Sequence, residues 1–130
     1  MPSTPALSTE NTIDIIAAAR TNEAFRRVIR TGDHEQVVVM TIPPGAAIGD
    51  EVHHDTDQVF VFVEGAGSVI IDGEAREVRE NDLVFVHAGS RHDVRNAGGA
   101  ALRLVTIYAP PQHAAGTIHE TKAEADAAEH

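Results

Sequence analysis

The chain has 130 residues, which suits one domain with a single hydrophobic core. Twenty acidic residues against ten lysines and arginines give a formal net charge of −10, which argues against binding nucleic acid or an anionic membrane surface. There is no cysteine, so disulfides and thiolate metal sites are excluded. No stretch resembles a signal peptide or the roughly 18 apolar residues of a membrane span, and we expect a soluble cytoplasmic protein.

The N-terminal part is predicted to be a loose leader followed by a short helix. Residues 1–10 are rich in Ser, Thr and Pro. Residues 12–19 (TIDIIAAA) favour a helix that packs on the outside of a sheet, because apolar residues lie three and four apart on one face. Residues 25–32 (FRRVIRTG) are predicted to form a strand that ends in a turn at Gly32.

The middle of the chain is predicted to consist of short strands joined by tight turns. Residues 35–42 form a buried strand that ends at Pro43, Pro44 and Gly45. Further strand patterns follow at 59–64, 68–72, 74–80, 83–87, 91–96 and 101–109. Asp72 and Gly73 give the clearest hairpin signal. This pattern predicts an all-β sandwich or barrel, whose interior can hold one small ligand. Phe60, Phe62 and Phe85, with the many valines, are predicted to form its core.

Four polar residues have the spacing of a metal site. Glu51 and His53 are two apart, so they share one face of an extended strand. Gln58, on the next strand with Phe60 and Phe62, returns a third donor, and His92 follows a glycine turn later in the chain. Two histidines with one carboxylate suit a divalent first-row metal and leave positions open for a ligand.

Other candidate residues remain open at this stage. A one-residue shift in register would place His54 in the site, but it would bring Val52 with it, so we prefer Glu51 and His53. His87 ends an apolar strand and is interpreted as structural. His113 and His119 lie in the polar C-terminal tail and are predicted to be surface residues unless the tail folds over the barrel mouth. His54 and Tyr108 are the candidates for a general base.

The chain resembles the cupin family at two motifs. The first has the spacing Gly, five residues, His, one residue, His, three or four residues, Glu, six residues, Gly. Residues on this spacing are Gly45, Glu51, His53, Gln58 and Gly65. The second motif has the spacing Gly, five residues, Pro, one residue, Gly, two residues, His, three residues, Asn. Residues on it are Asn81, His87, Gly89, His92 and Asn96. Glu51 stands where a His is usual, Gln58 for Glu, Asn81 for Gly and His87 for Pro.

The resemblance covers about residues 22–126 and is strongest to small single-domain bacterial cupins, which are loosely similar to mannose-6-phosphate isomerase. It implies a jelly-roll barrel at 21–110, after a leader and helix at 1–20 and before a polar tail at 111–130. It also implies a divalent transition metal, manganese, iron, nickel or zinc, held by Glu51, His53, Gln58 and His92. Strands that are apolar on both faces indicate a homodimer, which such cupins commonly form.

Three functions are compatible with this pattern. The first is a metalloenzyme that carries out isomerase, lyase or dioxygenase chemistry on a small sugar or carboxylate. The second is a noncatalytic cupin that binds or senses a small ligand. The third is a structural dimer with a degenerate site, which is disfavoured because four polar donors are costly to bury unpaired.

Overall fold

The computed structural model describes residues 11–128, and the predicted leader at 1–10 lies outside them. The described part contains two short helices and ten strands in this order: α1 Ile15–Thr21, β1 Arg26–Thr31, β2 Gln36–Ile42, β3 Glu51–Val52, β4 Asp57–Glu64, β5 Ala66–Ile71, β6 Glu74–Arg79, β7 Leu83–Val86, β8 Arg91–Arg95, β9 Leu102–Ala109, β10 Ile118–His119 and α2 Lys122–Ala128. The predicted all-β fold with a short N-terminal helix is confirmed.

Two antiparallel sheets enclose the core. The larger sheet has the strand order β10-β1-β2-β9-β4-β7, and the smaller has the order β3-β8-β5-β6. Both contribute to one apolar cluster, with Met40 and Phe60 from the larger sheet and Val69 and Val94 from the smaller. The two-residue periodicity of the strands thus places one face of each sheet in a common interior.

The outer face of the larger sheet is partly covered by α1. Asp14 caps this helix, because its Oδ1 accepts a hydrogen bond from the Ala17 N–H at 3.1 Å. The helix therefore begins at Ile15, three residues later than the sequence predicts. Ala19 packs against Val39 and Val105 on the sheet, so the predicted position outside the sheet is confirmed.

The turns follow the sequence signals. Asp72 and Gly73 both have positive φ, 49° and 87°, as expected of a two-residue hairpin turn between β5 and β6. Phe60 and Phe62 are buried, but Phe85, which the sequence also assigned to the core, is 48% exposed. The reason is its position on β7, where its outward-facing side chain alternates with the inward-facing Val84 and Val86.

The segment after residue 110 joins the fold. Strand β10 pairs with β1 through Arg26 opposite His119, and α2 forms the end of the described chain. The division of the chain at residues 20 and 110 stays a prediction. No helix within residues 11–128 has the length and apolar character needed to cross a membrane.

Gly65 joins β4 to β5 at a position that excludes a side chain. Its φ is +93°, and a Cβ there would lie 2.6 Å from the Ala101 carbonyl oxygen. We expect Gly65→Ala to lower the free energy of unfolding by about 2–4 kcal/mol, because it combines backbone strain with overpacking. Urea denaturation measures this change. Gly99→Ala is the matched control, since nothing lies within 4 Å of its Cβ position, and its effect should stay within about 0.5 kcal/mol. Equal effects in both variants would contradict this explanation.

Candidate metal centre

The pairing of β3 with β8 brings the two sequence motifs together. Glu51 lies directly opposite His92 in this antiparallel ladder. The next residue but one, His53, accepts a hydrogen bond on its carbonyl oxygen from the Gly89 N–H at 2.9 Å. Gly89 has a φ of +88°, which a residue with a side chain rarely adopts. The turn between β7 and β8 therefore holds His53 beside the Glu51–His92 pair.

Three of the four predicted ligands converge. One ligand atom each from Glu51, His53 and His92 can be chosen so that all lie within 4.8 Å of one another. His53 Nε2 is 3.8 Å from Glu51 Oε1, and the two imidazole rings are 5.4 Å apart between centroids. His92 is buried, whereas Glu51 and His53 are partly buried. These separations suit three groups that share one central ion.

The hydrogen bonding of His92 prepares its other nitrogen for a metal. Its Nδ1 lies 3.1 Å from the carbonyl oxygen of Ser90. A carbonyl oxygen only accepts, so Nδ1 carries the proton and donates it. In the neutral ring Nε2 then has a free lone pair, which is the form that binds a metal.

Gln58, the fourth predicted ligand, is buried on β4. Its Nε2 donates to the Thr106 hydroxyl at 2.9 Å, which orients the carboxamide. Its backbone lies opposite Tyr108, whose ring contacts His53 edge-on at 5.9 Å between centroids. The remaining Oε1 is buried and has no hydrogen-bond partner among residues 11–128. Gln58 thus offers a buried oxygen without a partner among the described residues.

The donor set fits a divalent metal ion. Nε2 of His53, Nε2 of His92 and Oε1 of Gln58 are all buried, and none has a hydrogen-bond partner within the described chain. Leaving such an atom unpaired costs about 1–3 kcal/mol. Two imidazole nitrogens, an amide oxygen and the Glu51 carboxylate are ligands that first-row divalent metals accept. One ion shared by Glu51, His53 and His92 would give both imidazole nitrogens a partner.

The remaining candidates lie at different places relative to this centre. His54 is exposed, as predicted, and so is His87, which stacks edge-on against Phe85 at 4.8 Å. Asn96 is buried and braces the chain, because its Nδ2 donates to the carbonyl oxygens of Ile42 and Ala100. Of the two candidates for a general base, His54 therefore points to solvent and Tyr108 is buried beside His53.

His113 and His119 are not surface residues, because the tail does fold over the barrel mouth. His119 is 8% exposed, and Nε2 of His113 is buried. The two rings form an edge contact at 6.3 Å, and His113 also contacts Tyr108 at 5.2 Å. The sequence carried only a weak signal for this arrangement, namely two histidines in an otherwise polar and acidic tail.

A cavity of about 600 Å³ lies over the candidate centre. One wall carries Glu51 and His53, and the other carries residues that follow β9. The residues on that second wall are Gln112, His113, Ala114, Thr117, His119 and Ala128. The volume is within the range of small-molecule sites.

Burial and nearby positive charge keep two histidines of this cavity neutral. Burial lowers the pKa of His53 to about 4, with further contributions from His92 and Arg26. Burial likewise lowers the pKa of His113 to about 4, followed by the charges of Arg26, His119 and His53. Both imidazoles therefore have lone pairs at neutral pH.

Comparison with known proteins identifies the family. The cupin domain model Cupin_2 matches residues 38–108, more than half of the chain. The chain therefore belongs to the cupin family, in agreement with its fold and motif residues. The chain is also similar to the crystal structure of BH2720 from Bacillus halodurans, with a TM-score of 0.88 and 43% identity over 89% of this chain and 92% of that chain.

Two curated relatives show how far the similarity extends. YrkC of Bacillus subtilis is 40% identical over 123 residues, which are 90% of this chain and 66% of YrkC. The chain thus spans about two thirds of the length of that relative. Mannose-1-phosphate guanylyltransferase of Escherichia coli K12 is 32% identical over 79 residues, 61% of this chain but only 16% of that enzyme. The latter similarity is confined to a small part of the enzyme.

The lowered pKa of His53 predicts a pH-dependent stability of the metal-free protein. Between about pH 6.5 and 4 the unfolded chain binds a proton at this residue and the folded chain does not, so the free energy of unfolding falls as pH falls. In thermal unfolding with a chelator present, we expect His53→Gln to reduce the decline of Tm across this window. His54→Gln, at the exposed neighbour, should leave the decline unchanged. Identical pH profiles for the two variants would show that His53 is not the residue responsible.

Proposed function

We propose that this cupin binds one divalent transition metal ion through Glu51, His53 and His92, with Gln58 as a neutral fourth ligand. The observation that carries the proposal is the convergence of the first three side chains within 4.8 Å, with unpartnered Nε2 atoms on both histidines. Manganese, iron, nickel and zinc all accept imidazole and oxygen ligands.

We further propose that the ion serves an enzymatic reaction on a small oxygen-rich substrate, a sugar or a carboxylate. The chemistry that such an ion supplies is Lewis acidity toward a substrate oxygen, or a coordination position for dioxygen, which supports isomerase, lyase or dioxygenase reactions. Glu51, His53 and His92 would hold the ion, and the tail that folds over the mouth forms the facing wall of the cavity. A location in the bacterial cytoplasm also stays a prediction.

A noncatalytic cupin that binds or senses a small ligand is the alternative. The exposure of His54 favours it, because one of the two proposed general bases does not face the cavity. The two functions differ in a direct way. An enzyme converts a ligand that it binds, whereas a sensor returns it unchanged, and product analysis after incubation with a bound metabolite distinguishes them.

Metal analysis tests the proposed centre. Protein purified without added metal, or loaded by titration with manganese, iron, nickel or zinc, should hold about one ion per chain, and His53→Ala and His92→Ala should hold far less because each removes an imidazole ligand. Metal at 100 times its dissociation constant should raise the free energy of unfolding by about 2.7 kcal/mol. Elemental analysis and thermal unfolding measure these effects.

The exposed histidines supply matched controls for that experiment. His54→Ala and His87→Ala remove the same ring from residues beside the motif ligands without touching the centre, so their metal content should equal that of the unmodified chain. If the unmodified chain takes up none of the four metals, the metalloenzyme proposal is wrong. If His54→Ala loses the ion and His53→Ala keeps it, the ligand set is wrong.

We also propose that the protein is a homodimer that associates through the outer face of the larger sheet. Paired residues of β2, β9, β4 and β7 form an apolar row across this face: Val37, Ile107, Val59 and Phe85. On the edge strand β7, Leu83 is 62% exposed and Phe85 48% exposed. A second copy of this chain fits such a surface because a twofold axis pairs the apolar row with itself, and the free edge of β7 offers backbone groups beside it.

Charge substitution on β7 tests the dimer. Phe85→Glu and Leu83→Glu should convert a dimer to a monomer, because a carboxylate would be buried in the apolar contact. Light scattering coupled to size exclusion measures the mass. Ile118→Glu is the matched control, an equally exposed apolar residue on the opposite edge strand β10. A monomeric unmodified chain, or dissociation caused only by Ile118→Glu, would contradict this surface.

A further inference from the structure

The segment between β9 and β10 forms the wall of the cavity that faces the candidate metal centre. A buried glutamine at the start of β2 fixes this segment. Gln36 accepts hydrogen bonds on Oε1 from the N–H groups of Gln112 and His113 at 3.2 and 3.0 Å. Its Nε2 donates to the His113 carbonyl oxygen at 2.7 Å. The backbone at His113 is thus held on both sides of the residue, and these bonds leave its side chain available.

Tyr108 contacts both the imidazole of His113 and that of His53. The His113 ring meets it edge-on, at 5.2 Å and an interplanar angle of 84°. The Tyr108 ring also meets His53, at 5.9 Å and 82°. His113 and His53 therefore line the same cavity, with the buried phenol ring fixing the position of both.

His113 carries a polar atom for which the described chain supplies no partner. Its Nε2 is buried and unbonded within residues 11–128, although a buried donor or acceptor normally has a partner. Burial and the neighbouring Arg26 keep this ring neutral at pH 7, so it has one N–H donor and one acceptor. A neutral imidazole can donate a hydrogen bond to a ligand oxygen without adding the positive charge of an imidazolium beside the metal ion.

The charges around the cavity favour an anionic ligand once the metal is bound. Glu51 is the only carboxylate among the described residues that line it. Behind the far wall, the guanidinium of Arg26 donates to Nδ1 of His119 at 3.2 Å and is 2% exposed. One negative and one positive side chain, together with a divalent ion, give the site a net positive charge. A positive, partly enclosed site attracts an anion.

We propose that His113 is the substrate-positioning residue of this cupin, and that its Nε2–H donates to the carboxylate of a small hydroxy acid bound beside the Glu51–His53–His92 centre. This inference rests on the proposed function and narrows its substrate class to carboxylates. The metal side of the cavity orients one end of the ligand, and His113, fixed through Gln36, orients the other. Neither His113 nor Gln36 belongs to the two cupin motifs.

Calorimetric titration of manganese-loaded protein with glycolate tests the inference. Glycolate has one hydroxyl and one carboxylate, and glycolamide is its uncharged counterpart. We expect the unmodified chain to bind glycolate in preference to glycolamide. We expect His113→Ala to weaken glycolate binding by about 10- to 100-fold, the effect of losing one hydrogen bond to a charged group. Its manganese content should not change.

His113→Gln and His54→Ala complete the experiment. The first keeps a side-chain N–H and should recover part of the affinity, which would not occur if the ring only supported the wall. The second removes an exposed imidazole and should bind glycolate normally. Unchanged affinity in His113→Ala, or a manganese-loaded chain that does not bind glycolate, would overturn the role of His113 and leave the metal centre standing. A chain that takes up no manganese and none of the other metals would instead refute the proposed function, and this inference with it.

Discussion

The candidate centre depends on the alignment of two residues of β3 with the beginning of β8. This ladder is short, with Glu51 opposite His92 and Val52 opposite Arg91. The segment between β2 and β3 continues this ladder along β8, because the Ile48 N–H donates to the Val94 carbonyl oxygen at 2.9 Å. Because side chains alternate along a strand, a slip of one residue would turn Glu51 away from His92. The register of the β3–β8 pairing thus decides whether Glu51 and His92 lie close enough to share a metal ion.

The same arrangement concentrates unpaired polar atoms where a globular protein normally has none. Imidazole nitrogens of His53, His92 and His113 and the amide oxygen of Gln58 are buried without hydrogen bonds in the described chain. Each such atom costs about 1–3 kcal/mol of folding stability. The apolar cluster beneath them, which includes Phe60 and Val94, supplies the stability that offsets this cost. Sites built for ligand binding commonly have this character, because atoms already satisfied by the protein cannot bind a ligand.

Local periodicity predicted the faces of the strands well where it was applied. The alternation of Gln58, Phe60 and Phe62 with valines predicts that these three side chains face the interior, and all three are buried; Asp72 with Gly73 forms the expected turn. The apolar character of Phe85 predicts a core position, which is wrong. Phe85 is adjacent to the inward-facing Val86, and adjacent residues of a strand lie on opposite faces of the sheet. His113 was beyond any local pattern, because its place depends on hydrogen bonds to Gln36, 77 residues earlier.

The amino-acid sequence by itself determined the strands, their turns, the parity of their side chains and the chemical types of the possible ligands. These properties depend on backbone preferences and side-chain alternation within a few residues, so they can be predicted without knowing the tertiary structure. Only the tertiary structure decided that Glu51, His53 and His92 share one mouth with His113 and His119. This convergence depends on pairings between distant strands and on the buried Gln36 contacts, and no short stretch of sequence encodes either of them.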